Sequence, residues 1–269
     1  MLADQLLGES GAVGTRSVAA LWLGMLCYAL QIYLDFSAYS DMAIGMGRMI
    51  GFHYKENFNY PYISQSVTDF WRRWHMSLSS FFRDYVYIPL GGNRCGKGRQ
   101  FFNMLVVWFL TGLWHGASWN FVLWGLYFFV FLSLEKFVLA PFLEKLPRVF
   151  RHVYLLIVVF FGWVLFRMET LPDVIAAACG LFGQNGNALT DFETNALFMN
   201  NLFFLILAIV ACTPLVKVLS EKLSEGAGRS PTVGVVHTVV QVVCPIVLLL
   251  IATAMLVGDS YNPFLYFQF

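Results

Sequence analysis

An all-α, polytopic transmembrane helical bundle is the fold class this sequence predicts, with re-entrant or short helices around a central cavity. Three observations point there. The 269 residues are 58% hydrophobic and only 12% charged, against about 25% charged in ordinary soluble domains. The apolar residues gather into runs long enough to cross a bilayer. Backbone groups in lipid must be satisfied within their own segment, so those runs are helices.

Residues 17–34, 117–136, 153–166, 196–219 and 235–257 read as spans, the third short. Pro214 and Pro245 lie in or near the ends of the last two, where neighbouring helices tolerate kinks. Loop charge sets the orientation. Residues 136–151 carry Lys136, Lys145, Arg148 and Arg151, and residues 217–229 carry Lys217, Lys222 and Arg229. Between them, residues 168–195 carry Glu169, Asp173, Asp191 and Glu193 with no basic residue. The positive-inside rule places the first two loops in the cytoplasm and the third outside, with the chain beyond Val257 outside as well. Residues 68–100 form a cytoplasmic amphipathic and basic segment, with Arg72, Arg73, Arg83, Arg94, Lys97 and Arg99. The whole of 1–269 reads as a single membrane-embedded domain.

Residues 101–136 must then leave the cytoplasmic face and return to it, as a hairpin or a dip. Its turn holds Trp114-His115-Gly116. Phe101 to Trp114 spans about 21 Å as a helix, short of a hydrocarbon core of roughly 30 Å. His115 is therefore expected inside the membrane, where an ionisable residue marks a functional site by default.

Residues 33–52 mix apolar residues with Asp35, Asp41 and Arg48. Asp41 and Arg48 share a helix face, as a structural pair or as the lining of a cavity. Residues 57–65, with Pro61, read as a loop. Residues 68–87 have helical period, with Trp71, Trp74, Leu78, Phe81, Phe82 and Tyr85 on one stripe. His75 falls at the margin of that stripe, as a hydrogen-bonded helix-edge histidine or as part of a site.

Two inward histidines admit general-base chemistry, because neutral imidazole can take a proton from a hydroxyl. Metal binding would need further ligands, and no HxxxH or ExxH pattern is present. Haem or quinone chemistry would need histidines facing one another on long spanning helices. Ser118 could reach His115, but no GxSxG elbow surrounds it, so direct transfer is preferred to a serine acyl-enzyme. The five cysteines show no paired spacing, so neither a disulfide framework nor a cysteine zinc site is expected. No signal peptide is read at Met1. The net charge of +1 gives no basis for nucleic-acid binding.

Longer motifs carry a resemblance. They are Gln31-Ile-Tyr-Leu-Asp-Phe-Ser-Ala-Tyr-Ser-Asp-Met-Ala-Ile-Gly, Asn59-Tyr-Pro-Tyr, Phe70-Trp-Arg-Arg-Trp-His-Met-Ser-Leu-Ser, Arg83-Asp-Tyr-Val-Tyr-Ile-Pro-Leu-Gly-Gly-Asn-Arg and Gly112-Leu-Trp-His-Gly-Ala-Ser-Trp-Asn-Phe. With the ending Ser260-Tyr-Asn-Pro-Phe-Leu-Tyr-Phe-Gln-Phe, the chain resembles the membrane-bound O-acyltransferase family over nearly its whole length, within it the bacterial alginate O-acetyltransferase branch. Ala38 stands where the family pattern usually has Gly. Members usually carry several spans ahead of a segment like Ala3-Asp-Gln-Leu, so the chain reads as the C-terminal part of such a protein.

The resemblance implies acyl transfer, with acetyl the expected group, from a cytoplasmic thioester to a hydroxyl of an extracytoplasmic polysaccharide. His115 maps onto the family's central histidine and His75 onto its second. Trp114, Asn120, Arg72 and Asp41 are the expected substrate-binding residues. No tightly held cofactor is implied; an acyl-CoA or acyl-carrier-protein thioester is the donor substrate. A polysaccharide acceptor, a periplasmic acyltransferase partner and the lipid bilayer are the expected partners, and the bacterial inner membrane the location. Teichoic-acid D-alanylation and peptidoglycan O-acetylation are related alternatives. A transporter lined by His115, Asp41 and Arg48, or an inactive assembly subunit, are readings of other classes.

Overall fold

A computed structural model describes residues 1–258 except Glu9 and Arg229. The Ser260–Phe269 ending and Arg229 of the basic loop lie outside the described residues. The elements are α1 (Leu2–Leu7), α2 (Val18–Met49), α3 (Val67–Arg73), α4 (Met76–Phe82), α5 (Lys97–His115), α6 (Trp119–Leu134), α7 (Ala140–Leu143), α8 (Arg148–Arg167), α9 (Leu171–Leu181), α10 (Phe192–Ala211), α11 (Leu215–Ala227) and α12 (Pro231–Gly258). Short 3₁₀ turns precede α2 and α3, and π-helical turns cover Arg83–Tyr87 and Glu135–Leu139. No strand occurs among the described residues. Among the described residues, five helices are long and apolar enough to cross a membrane: α2, α6 with its continuation to Leu143, α8, α10 and α12 as far as Val257.

The structure departs from the sequence expectation at several boundaries. Residues 17–34 and 33–52 form one continuous helix, α2, which has no proline to stop it and ends where Gly51 takes φ +87°. The expected span 196–219 breaks instead at Cys212–Pro214, because proline lacks the N–H that continues a helix. The acidic loop 168–195 contains α9, started by the Thr170 hydroxyl accepting from the Asp173 N–H. The 68–87 helix is broken at Trp74–His75, so its single amphipathic stripe does not exist as expected.

That last break has a specific cause. His75 sits in the left-handed region, at φ +46°. Residues 57–59 lie alongside and satisfy the interrupted backbone: Asn59 N donates to Arg73 O, and Met76 N to Asn57 O. The Asn57 Oδ1 accepts from both the backbone N–H and the hydroxyl of Ser77. The partners that break the helix are thus some 18 residues upstream of it.

The core lies among α2, α3, α6 and α8, with Tyr28, Phe70, Trp124, Phe128, Leu155 and Trp163 fully buried. Two sets of polar contacts hold its ends. At the Arg167 end of α8, Arg167 pairs with Asp4 at 3.0 Å, and Ser10 and Ser17 donate to Asp173 and Asp191. At the other end, His152 Nδ1 lies 2.9 Å from Ser64 O. There too, the buried carboxylate of Glu135 accepts from Val67 N and Thr68 N at 2.6 and 2.8 Å. A carboxylate on a helix N-terminus meets both the free N–H groups and the positive end of the dipole.

The α5–α6 hairpin is packed backbone to backbone. A Cβ on Gly125 would meet Trp108 O at 2.4 Å, and one on Gly112 would meet Phe121 O at 2.6 Å. Small residues at such positions let two membrane helices approach closely. This contact brings the hairpin turn, Gly116–Ser118, against the core.

Candidate active site

Cavity-lining side chains come from five places in the fold. Ile32, Asp35 and Phe36 on α2, Trp74 and His75 at the α3–α4 break, Trp114 and His115 closing α5, Trp124 on α6, and Trp163 and Phe166 on α8 surround about 230 Å³. Ile32 is about 21 Å along α2 from Val18, and Phe36 about 20 Å from Met49. The cavity therefore sits midway along the longest helix.

Each imidazole is fixed by its Nδ1. His115 Nδ1 lies 2.7 Å from the carbonyl of Thr111, one turn back. A carbonyl only accepts, so Nδ1 carries the proton and Nε2 presents a lone pair. His75 Nδ1 lies 3.2 Å from Asn57 Oδ1. The bonds from Ser77 identify that oxygen as an acceptor, so His75 takes the same tautomer. His75 Nε2 is buried without a hydrogen-bond partner among the described residues. Aromatic rings hold both imidazoles in place. Trp114 touches the two of them, at centroid distances of 5.8 Å to His75 and 4.9 Å to His115. His115 packs on Trp124 at 4.7 Å and Phe166 at 5.5 Å, and His75 on Phe36 at 4.7 Å.

Of the residues expected from sequence, the structure brings His115, His75 and Trp114 to one cavity. The other three lie elsewhere. Asn120 is buried next to it, its Nδ2 3.5 Å from Phe166 O, without lining it. Arg72 lines a separate polar cavity of about 780 Å³ with Asp69, Lys136, Glu135 and Arg151. Asp41 is exposed on α2. It does not pair with Arg48, whose guanidinium reaches Glu56 at 3.7 Å. Arg48 is drawn away because the chain turns back at Gly51 and carries Glu56 within its reach. The carboxylate that does reach the cavity is Asp35, whose Oδ2 is buried without a partner. Six residues separate Asp35 from Asp41, which places them about 120° apart around the helix. Its signal in the sequence was one acidic residue flanked by Leu34 and Phe36 in an apolar run. Ser118 is the exposed N-cap of α6 and is not a lining residue.

The arrangement offers two neutral imidazole bases and one carboxylate inside an aromatic shell. That set suits proton transfer to and from a bound hydroxyl. Among the described residues, no three His, Cys, Asp or Glu side chains gather as a metal site.

A model of the membrane-bound O-acyltransferase family matches residues 9–171. That stretch contains every residue of the cavity. A protein of Azotobacter vinelandii named "probable alginate O-acetylase" is 39% identical over 96% of this chain and 56% of its own length. Another of that name from Pseudomonas putida is 40% identical over 92% of this chain and 53% of its own. A peptidoglycan O-acetyltransferase of Helicobacter pylori is 37% identical over 67% of this chain and 35% of its own. The chain spans about half the length of the O-acetylases it matches.

Proposed function

Because the chain belongs to the membrane-bound O-acyltransferase family, we propose that it moves an acyl group, acetyl in this reading, from a cytoplasmic thioester to a hydroxyl of an extracytoplasmic polysaccharide. The carrying observation is the pair of imidazoles at one cavity, each with Nδ1 tied and Nε2 directed as a base. His115 Nε2 takes the hydroxyl proton as the oxygen attacks the thioester carbon. The tetrahedral intermediate then expels the thiolate, which recovers that proton from His115. His75 orients one of the reactants. The aromatic shell excludes bulk water, which would otherwise hydrolyse the thioester.

The donor is a substrate rather than a resident cofactor, a coenzyme A or acyl-carrier-protein thioester approaching from the basic face. The acceptor polymer approaches from the opposite face, in the bacterial inner membrane, with a periplasmic acyltransferase as the expected partner. Likeness to alginate O-acetylases over nearly all of this chain supports a polysaccharide acceptor. The peptidoglycan O-acetyltransferase relative supports a second acceptor class with identical chemistry.

The deciding experiment is His115→Ala in membranes, with polymer acylation and the amount of inserted chain both measured. Loss of a general base lowers the rate by about 10²- to 10⁴-fold. Acylation at the unsubstituted rate would remove His115 from the mechanism.

A further inference from the structure

An acyl transfer needs more than a base. Negative charge develops on the thioester oxygen when the hydroxyl adds, and a fixed donor must meet it. The orphaned polar atoms around the cavity are few among the described residues. His75 Nε2 is an acceptor in the tautomer argued above, and Asp35 Oδ2 is one as a carboxylate. Trp124 Nε1–H is a donor, fully buried and without an acceptor.

Two other indoles of the molecule are bonded. Trp22 Nε1 donates to Leu181 O at 2.8 Å, and Trp163 Nε1 to the Tyr62 hydroxyl at 3.1 Å. Buried indole N–H groups usually find such partners. Trp71 Nε1 also lacks one, but Trp71 packs behind Trp124 and does not line the cavity. Trp124 does line it, with its ring 4.7 Å from the His115 ring. Its position is set by the close α5–α6 packing at the neighbouring Gly125 and by Phe166 at 5.2 Å.

We infer that Trp124 is a further catalytic residue, whose indole N–H donates to the oxyanion of the tetrahedral intermediate formed beside His115. This rests on the acyl-transfer reading. As the O–C bond forms, the carbonyl π electrons move to oxygen and the indole N–H holds that charge. When the C–S bond breaks, the carbonyl re-forms and the thiolate takes the proton from His115. The donor is left unmatched in the resting protein because its acceptor exists only during reaction.

Two replacements test this in membranes holding the full chain, alongside unsubstituted protein and His115→Ala. Trp124→Phe removes the N–H and part of the ring. Replacing Trp124 with β-(3-benzothienyl)alanine keeps the bicyclic shape and substitutes sulfur for N–H. Loss of an oxyanion donor lowers kcat by about 10²- to 10³-fold. Both variants are expected to show this with KM unchanged and the inserted amount preserved. A benzothienyl variant at full rate overturns the inference while leaving the role of His115 intact. A loss confined to Trp124→Phe also overturns it, because only packing would then matter. Absence of transfer by unsubstituted chain overturns the acyl-transfer reading itself.

Discussion

Two of the spanning helices show how differently apolar segments are used. In the best apolar window of α2, half the residues are buried inside the protein; in that of α12, none are. Yet α12 is the most apolar of the five, and α2 carries Asp35, Asp41 and Arg48. Hydrophobicity and burial run in opposite directions here. Lipid tails are as apolar as leucine, so hydrophobicity alone gives a helix no preference for protein over lipid. What holds a helix inside the bundle is close packing and specific polar contact. On α2 that means Gly24 against Leu6 and Leu7, and the Ser17 hydroxyl at Asp191. On α6 it means Gly125 against Trp108.

The contrast can be broken by adding carbons at one site on each helix. Gly125→Ala forces the α5 and α6 backbones apart and is expected to destabilise by about 3 kcal/mol. Ala252→Leu on the exposed face of α12 adds three carbons and should stay within about 0.5 kcal/mol. Thermal unfolding in one detergent compares the two. Equal losses would mean that α12 is packed against protein, and the difference between the regions would vanish.

A smaller effect sharpens the same comparison at the polar pins. Glu135→Ala leaves Val67 N and Thr68 N without their carboxylate, at a cost of about 2 kcal/mol for charge-assisted bonds. Because α3 leads into His75, the variant should also lose activity out of proportion to its stability. An unchanged melting temperature would show that water replaces the carboxylate at no cost.

The weakest effect is the pH dependence at the other end. Hydrogen bonds from the Ser17 hydroxyl, then from the N–H and hydroxyl of Thr194, hold the Asp191 carboxyl below its ordinary range. A carboxyl with a depressed folded pKa stabilises the protein above its unfolded value of about 3.9. That contribution is lost as pH falls through the folded value. Asp191→Asn should therefore flatten the loss of stability between pH 5 and pH 3. An acid limb as steep as that of unsubstituted protein would assign the effect to other carboxylates.

His115 was legible because its signal is local. An apolar run too short to cross, ending on an ionisable residue, needs only the adjacent sequence to be recognised. His75 was placed by its motif resemblance, while its surroundings were misread. A helical wheel assumes an unbroken helix, and the break at Trp74–His75 depends on Asn57 and Asn59, which no local window joins to it. Asp35 and Asp41 were indistinguishable as isolated acids in one apolar run. Which of them faces the cavity depends on the rotation of α2 against α3 and α8.

Composition and the order of apolar and basic segments determined by themselves that this is an all-helical, multi-pass membrane chain, because a bilayer imposes length and charge rules that act on each segment separately. The meeting of His115 with His75, the choice of Asp35 and the unmatched indole of Trp124 were decided only by tertiary structure. Those features require residues from distant segments to reach one point, and the contacts that bring them there are close packing and hydrogen bonds between elements, which leave no periodic trace along the chain.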